Sequence, residues 1–123
     1  MEQLIKFAIF LYISLHGLDL STALIFRDNQ REEFDKSEDN IWFKKFLDRF
    51  PMPKAIFLYE ITYELQYFVM FALSILFTFR IVMGEWNLAL SIPFILISRA
   101  LFHGLGTLTN TYMIIKLADT WEK

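Results

Sequence analysis

The chain of 123 residues contains no cysteine. Disulfide bridges, thiolate nucleophiles, iron–sulfur clusters and cysteine-ligated zinc are therefore excluded. Glycine and proline are scarce, with four and three residues, and no repeat or low-complexity stretch interrupts the chain. The net charge of −2 offers no basic surface for a nucleic acid. A signal peptide is not expected, because Met1-Glu2-Gln3 is not a basic leader.

Charge is nearly absent from three long stretches, 4–26, 55–80 and 88–117. Each is longer than the about 20 apolar residues that a helix needs to cross a bilayer. The chain is 55% hydrophobic and its mean hydropathy is +0.37. The sequence therefore predicts an all-α integral membrane protein with three transmembrane helices, forming a single membrane domain over 1–123.

The lysines and arginines predict how this domain is oriented. Most of them lie in the linker 27–54 or near the C-terminus, and three crossings place both regions on one side. Because cytoplasmic loops carry the excess of Lys and Arg, we expect the linker and the C-terminus in the cytoplasm and the N-terminus outside. The short link Met83-Gly84-Glu85-Trp86-Asn87 is expected to form an outer turn.

The cytoplasmic linker has two parts. Residues 27–39 are polar and are expected to form a loop, whereas 40–50 alternate charged and apolar residues with helical periodicity. Asp39 or Asn40 is expected to cap this amphipathic helix, and Pro51 to end it. We predict that it lies in the headgroup layer, with docking onto a partner protein as the alternative. The membrane-surface residues are then Trp42, Phe43, Lys44, Lys45, Phe46, Arg49 and Phe50.

Each transmembrane stretch also carries ionisable or strongly polar residues, which are costly in a membrane and usually serve a purpose. Within a stretch they are spaced by three or four, so each helix presents one polar stripe. Counted by depth, the three stripes meet in the cytoplasmic half of the bundle. The predicted polar cluster consists of His16, Asp19, Glu60, Glu64, Arg99, His103 and Asn110.

Three interpretations of this cluster are open. In the first, the residues only satisfy one another, with Arg99 paired to Glu64 or Asp19 and helix register fixed as a result. In the second, they form a proton or ion path. The third interpretation is a nitrogen- and oxygen-ligated site for zinc, iron or manganese. Its candidate ligands are His16, Asp19, Glu60, Glu64 and His103.

The segment Gly17-Leu18-Asp19-Leu20-Ser21-Thr22 resembles the Asp-x-[Ser/Thr]-Thr motif of a small uncharacterised prokaryotic membrane-protein family. That family continues with Glu-x-Asn-Pro before its second helix, and here Glu38-Asp39-Asn40-Ile41 matches in part, with Ile41 in place of the proline. The resemblance covers about the first half of the chain. It implies a membrane protein of three to four helices and draws attention to Asp19, Thr22, Glu38 and Asn40.

The small size, the absence of a complete catalytic motif and the polar stripes, which need partners, favour a non-enzymatic function. We predict an accessory or structural subunit of a larger membrane complex, with membrane lipids and either other membrane subunits or further copies of the chain as partners. The alternatives are a small intramembrane metal-dependent enzyme using the His/Asp/Glu site and an oligomeric proton or ion conductor. A divalent metal or a bound lipid is the cofactor that these alternatives allow.

Overall fold

The computed structural model describes residues 1–38 and 41–118, and within these ranges all regular structure is helical. The elements are α1 (Glu2–Asn29), α2 (Arg31–Ser37), α3 (Ile41–Arg49), α4 (Lys54–Tyr59), a π-helical segment (Glu60–Glu64), α5 (Leu65–Met83) and α6 (Leu88–Lys116). The π-helical segment joins α4 to α5 without a break, so 54–83 is one helix of 30 residues. The predicted caps Asp39 and Asn40 lie outside the described residues.

Three helices are long and apolar enough to cross a membrane: α1, the continuous helix 54–83 and α6. They contain 28, 30 and 29 residues, or about 42–45 Å at 1.5 Å per residue. The predicted all-helical fold and its three long apolar helices are confirmed. The first two helices extend beyond their predicted limits by one to three residues at each end, and α6 ends one residue before its predicted limit. Helix ends are set by local caps rather than by hydropathy alone.

The turn between α5 and α6 is built by two residues suited to helix ends. Gly84 follows α5 with φ of 77°, a left-handed conformation that glycine adopts without steric cost. Asn87 precedes α6, and its side-chain oxygen accepts a hydrogen bond from the Leu90 backbone at 2.9 Å. This confirms a turn where the sequence predicts one.

The α1 and α6 helices form the most extensive helix pair, and α5 lies beside α6. Ala8 of α1 and Ala100 of α6 are fully buried, and such small residues let helix backbones approach closely. No residue of α5 is buried, although its rings make edge-to-face contacts with α6, as Phe71 does with Phe102. The outer surface of α5 is therefore almost wholly apolar and exposed, as expected of a helix that faces lipid.

A second apolar core forms where the linker helices meet the ends of the long helices. Its buried members are Ala23, Phe26, Phe34, Phe43, Leu47, Ala55 and Tyr59. The polar segment 27–39, predicted as a loop, is instead helical for most of its length: α1 continues to Asn29 and α2 follows. The single apolar residue of α2, Phe34, is 1% exposed, and this anchor fixes a segment that is otherwise polar.

The amphipathic helix is present as α3, but it runs back along α4 rather than standing apart from the bundle. Near its start Trp42 stacks on Tyr63 with ring centroids 5.3 Å apart, and just after its end Phe50 lies under the Lys54 ammonium. Its inner face packs on this chain's own helices. Phe43, predicted to lie at the membrane surface, is therefore buried at 5% exposure against the Tyr59 ring.

Ion pairs hold α3 against the end of α1 and against α2. Asp48 accepts hydrogen bonds from both Arg27 and Arg31, and Lys44 donates to the backbone carbonyl of Asp35. Because Lys44 and Asp48 lie four residues apart, on one side of α3 next to the buried Phe43 and Leu47, these contacts fix the rotation of α3 about its axis.

Candidate functional site

The three predicted polar stripes converge into one network between α1, α6 and the π-helical segment. At its centre is an ion pair between Arg99 of α6 and Glu64. The guanidinium donates two hydrogen bonds, from Nε to Oε1 at 3.1 Å and from Nη2 to Oε2 at 2.6 Å. The side chains are only 10% and 4% exposed. A bidentate contact of this kind is the strongest geometry for an arginine–carboxylate pair.

Aromatic side chains complete the surroundings of this ion pair. The Tyr12 hydroxyl donates to Glu64 Oε1 at 3.1 Å. The Arg99 guanidinium carbon lies 5.4 Å from the centre of the Tyr67 ring and 5.6 Å from that of Phe71. Rings in these positions attract a cation and shield it from lipid.

The two histidines share one arrangement. His103 Nε2 lies 2.8 Å from Glu64 Oε1, and His16 Nε2 lies 2.9 Å from Glu60 Oε2. The remaining ring nitrogens, the two Nδ1 atoms, lie 3.4 Å apart. Each imidazole therefore has its Nε2 against a glutamate and its Nδ1 facing the second imidazole, and His103 Nδ1 also contacts Asp19.

Asp19, three residues after His16 on α1, also contacts this pair of rings. Its Oδ2 lies 2.8 Å from His103 Nδ1. The Asn110 amide donates to the Asp19 carbonyl and to Asp19 Oδ1, both at 3.3 Å, and to the Thr22 hydroxyl at 3.2 Å. Asn110 thus holds the Asp19 side chain and backbone against α6.

The π-helical segment positions the two glutamates. Its i→i+5 hydrogen bonds give the turn one more residue than an α-helical turn has. Glu60 opens the segment and contacts α1, and Glu64 closes it and contacts both α1 and α6. Isolated π-helical turns occur often at functional sites. The sequence alone gave no sign of this turn.

Charge within the network is unequal. Asp19, Glu60 and Glu64 carry three negative charges when ionised, and Arg99 carries one positive charge. Two negative charges remain if both imidazoles are neutral. In addition, Glu60 Oε1 is buried and has no hydrogen-bond partner among the described residues. Since unbalanced charge away from water is unfavourable, further positive charge, either as protons on the imidazoles or as a cation, would stabilise the network.

A cavity of about 160 Å³ lies beside the network. Polar residues on its wall include His16, Asp19, Glu38, Tyr59, Arg99 and His103. Asp19 and Glu38 also line a second cavity of about 210 Å³ next to Asn110. The linker therefore brings Glu38 to the end of the network formed by Asp19 and Asn110.

All seven predicted cluster residues lie in this network, but the five candidate metal ligands are not equivalent. Candidate ligand atoms of His16, Glu64 and His103 lie within 4.8 Å of one another. Asp19 contacts these three residues only through Nδ1 of His103, and Glu60 only through Nε2 of His16. Arg99 and Asn110 are hydrogen-bond donors and hold carboxylates in place.

The structure adds three residues to the seven of the predicted cluster. Gly106 makes room for Asp19, while Tyr59 and Phe102 form part of the cavity wall. In a chain with 18% aromatic residues, the sequence does not distinguish a ring that borders a cavity from a ring that faces lipid.

No protein family, curated protein or solved structure matches this chain. The resemblance to the Asp-x-[Ser/Thr]-Thr family stays a prediction. Of its four residues, Asp19 and Glu38 line one cavity, the Thr22 hydroxyl lies 3.2 Å from the Asp19 carbonyl oxygen, and Asn40 lies outside the described residues.

Proposed function

We propose that this chain is an integral membrane protein that binds one divalent transition-metal ion between α1 and α6. The observation that carries the proposal is the pairing of His16 and His103: their Nδ1 atoms face each other at 3.4 Å while each Nε2 contacts a glutamate. The proposal rests on the orientation of the rings, on the distance between them and on the charge of the network.

The ring orientation is that of metal-binding histidines. Such a histidine almost always turns its second nitrogen to a carboxylate or carbonyl, which fixes the tautomer and makes the metal-binding nitrogen more basic. If both Nε2 atoms donate to Glu60 and Glu64, both Nδ1 atoms present lone pairs to the same space. Two lone pairs in that position, with the Asp19 carboxylate 2.8 Å from His103 Nδ1, repel one another unless a metal ion or a proton lies between them.

The spacing also suits a metal ion. With metal–nitrogen bonds of 2.0–2.1 Å, two ligands of a tetrahedral ion lie about 3.3–3.4 Å apart. A carboxylate would supply the third ligand: Asp19, whose Oδ2 lies 2.8 Å from His103 Nδ1, is on the correct side of the ring, whereas Glu64 is held at Nε2 and by Arg99. Two imidazoles and one carboxylate suit zinc, iron or manganese.

The charge of the network favours the same ion. A divalent cation would balance the two negative charges that remain after Arg99 is paired with Glu64. Two protons, one on each imidazole, would balance them equally, and this is the alternative that supports a proton path. The two states differ in whether a metal stays bound at neutral pH.

We also propose the membrane orientation predicted from the sequence, with the N-terminus outside and the linker 27–54 in the cytoplasm. The stretch of α6 from Leu88 to His103 is about 23 Å long at 1.5 Å per residue. The site would then lie in the cytoplasmic half of a bilayer about 30 Å thick, close to the cavities that Glu38 lines.

The test is metal content. The full chain, purified in mild detergent and stripped with a chelator, is incubated with Zn²⁺, Mn²⁺ or anaerobic Fe²⁺, dialysed, and measured by inductively coupled plasma mass spectrometry. We expect about one equivalent of metal on the wild type and loss of it in His16→Ala and His103→Ala. The chain has only two histidines, so the matched control is the exposed carboxylate variant Glu32→Gln, which should bind as the wild type does.

Co²⁺ absorption keeps the test decisive if a histidine variant unfolds. A tetrahedral Co²⁺ site gives an intense visible band, and the wild type alone is sufficient for this measurement. Absence of stoichiometric binding by the wild type, or full binding by a folded His16→Ala variant, would rule out the proposed site.

The accessory-subunit function, predicted partly from polar stripes in need of partners, stays a prediction. Those stripes have partners within this chain, and for that reason the metal site is the function we put forward. Catalysis at the site also stays a prediction. Gentle extraction from the native membrane followed by native mass spectrometry separates a subunit, which travels with other polypeptides, from a chain that carries metal alone.

A further inference from the structure

A second cluster of charge lies on the outer face of α3, away from the network. Lys45 and Arg49 are both exposed and lie four residues apart, so they project from the same side of the helix. Lys54 begins α4 beside them: its ammonium lies 5.5 Å from the centre of the Phe50 ring, and the Arg49 guanidinium carbon lies 5.7 Å from it. Three cations thus border one surface.

These cations differ from the others of the linker region. Arg27 and Arg31 contact Asp48, and Lys36 contacts Glu32. In the part of the chain that the structure describes, Lys45, Arg49 and Lys54 have no carboxylate partner; their contacts are with aromatic rings. Positive charge is therefore neutralised on the side of α3 that meets α1 and α2, and is left available on the other side.

An aromatic cleft lies directly beneath the three cations. Tyr63 forms its centre, with Trp42 stacked on it at 5.3 Å and Phe46 edge-on to it at 5.5 Å. The cleft has a volume of about 130 Å³ and its wall also includes Lys45, Arg49 and Phe50. Because α3 is antiparallel to α4, the cleft runs alongside the continuous helix 54–83 from its first residue toward its membrane-spanning part.

We propose that this cleft binds an anionic phospholipid, whose phosphate lies between Lys45, Arg49 and Lys54. The aromatic wall would contact the glycerol and the upper acyl chain. The separation of charge favours a lipid: Arg49 and Lys54 lie at the end of the cleft where helix 54–83 begins, Lys45 lies over the Trp42 ring, and the apolar wall continues along that helix. Amphipathic rings and basic side chains at the cytoplasmic headgroup level are the usual means of holding such a lipid. This site is independent of the proposed metal.

The test compares lipids on the delipidated full chain by native mass spectrometry in detergent. Phosphatidylglycerol is the anionic probe, phosphatidylcholine the zwitterionic probe, and inorganic phosphate the water-soluble source of the same chemistry. We expect phosphatidylglycerol to be retained most strongly, and Lys45→Gln and Arg49→Gln each to weaken its binding about fivefold. Lys45→Arg, which keeps the charge, should retain binding.

The matched control is Lys36→Gln, which removes an exposed lysine whose charge is already paired with Glu32. It lowers the net charge as Lys45→Gln does and should leave lipid retention unchanged. Equal losses of phosphatidylglycerol retention in Lys36→Gln and Lys45→Gln would overturn the proposed lipid site, since the effect would then be one of overall charge. Equal retention of the two lipids, or displacement of phosphatidylglycerol by millimolar phosphate, would also overturn it. Circular dichroism confirms that each variant is folded.

Discussion

Gly106 of α6 lies directly against the carboxylate of Asp19 on α1. A Cβ atom at Gly106 would lie 2.4 Å from Asp19 Oδ1 and 2.8 Å from its Cγ, closer than real Cβ atoms approach any neighbour. The absence of a side chain at this one position is what allows Asp19 to contact both His103 and Asn110. Helix packing and the geometry of the polar network are therefore coupled here.

We accordingly expect Gly106→Ala to displace Asp19 and to destabilise the α1–α6 pair. The cost of forcing an extra methyl group into a packed interface is about 1–3 kcal/mol. Gly17→Ala is the matched control, because nothing lies within 4 Å of a Cβ atom there and alanine favours the helix by about 0.5–1 kcal/mol. Thermal unfolding in mild detergent, followed by circular dichroism, compares the two. Equal stability of both variants would contradict the close approach.

The Arg99–Glu64 ion pair gives a second prediction. Glu64→Gln removes the partner of a buried guanidinium, and breaking a buried pair in this way costs about 3–5 kcal/mol. Removing both charges in Glu64→Gln combined with Arg99→Met should cost less than Glu64→Gln alone, because no uncompensated charge is left. The exposed Glu85→Gln is the control and should stay within about 0.5 kcal/mol of the wild type. Additive losses in the double variant would show that the two charges act separately.

Glu60 gives a third prediction, which depends on the proposed metal. Glu60→Gln keeps a hydrogen-bonding group beside His16 Nε2 but removes the charge that makes the ring more basic. We expect metal affinity to fall about 10–100-fold with little change in fold. Competition with a chelator of known affinity measures this, and Glu2→Gln at the exposed start of α1 provides the comparison. An unchanged affinity would mean that Glu60 does not orient the histidine.

The burial of Phe43 gives a fourth prediction, on the second core. Phe43→Ala should destabilise the fold by about 3–5 kcal/mol, since its ring is buried against Tyr59. Ile41→Ala, on the same helix at 57% exposure, should change stability by no more than about 0.5 kcal/mol. If Phe43 were a lipid-facing residue, the two variants would behave alike in detergent, and that result would place α3 away from α4.

Much of this fold can be predicted from the sequence because the physical signals are strong. Apolar stretches of more than 20 residues have few structural solutions, and the three long helices follow from them. The convergence of the polar stripes also follows, because a spacing of three or four residues puts them on one face and helix rise sets their depth. The pairing of Arg99 with Glu64 was one of the predicted options for this reason.

Other features depend on tertiary contacts that leave no local signal. An amphipathic pattern such as that of 40–50 shows that one face is apolar, but lipid and protein are equally good at covering it, so the burial of Phe43 was missed. Likewise α2 has one apolar residue and no periodicity, and its helix depends on the burial of Phe34. The π-helical segment 60–64 contains no proline or glycine that would mark it.

That π-helical segment sets the orientation of Glu60 relative to Glu64. The segment holds one more residue than an α-helical turn. Removing that residue would give an ordinary α-helical turn and would rotate α4 by about 100° relative to α5, with a shift of about 1.5 Å along the helix axis. Such a twist would carry Glu60 away from His16 while Glu64 kept its hold on Arg99. In the helix 54–83, the π-helical segment therefore separates the orientation of Glu60 from that of Glu64, which stays paired with Arg99 of α6.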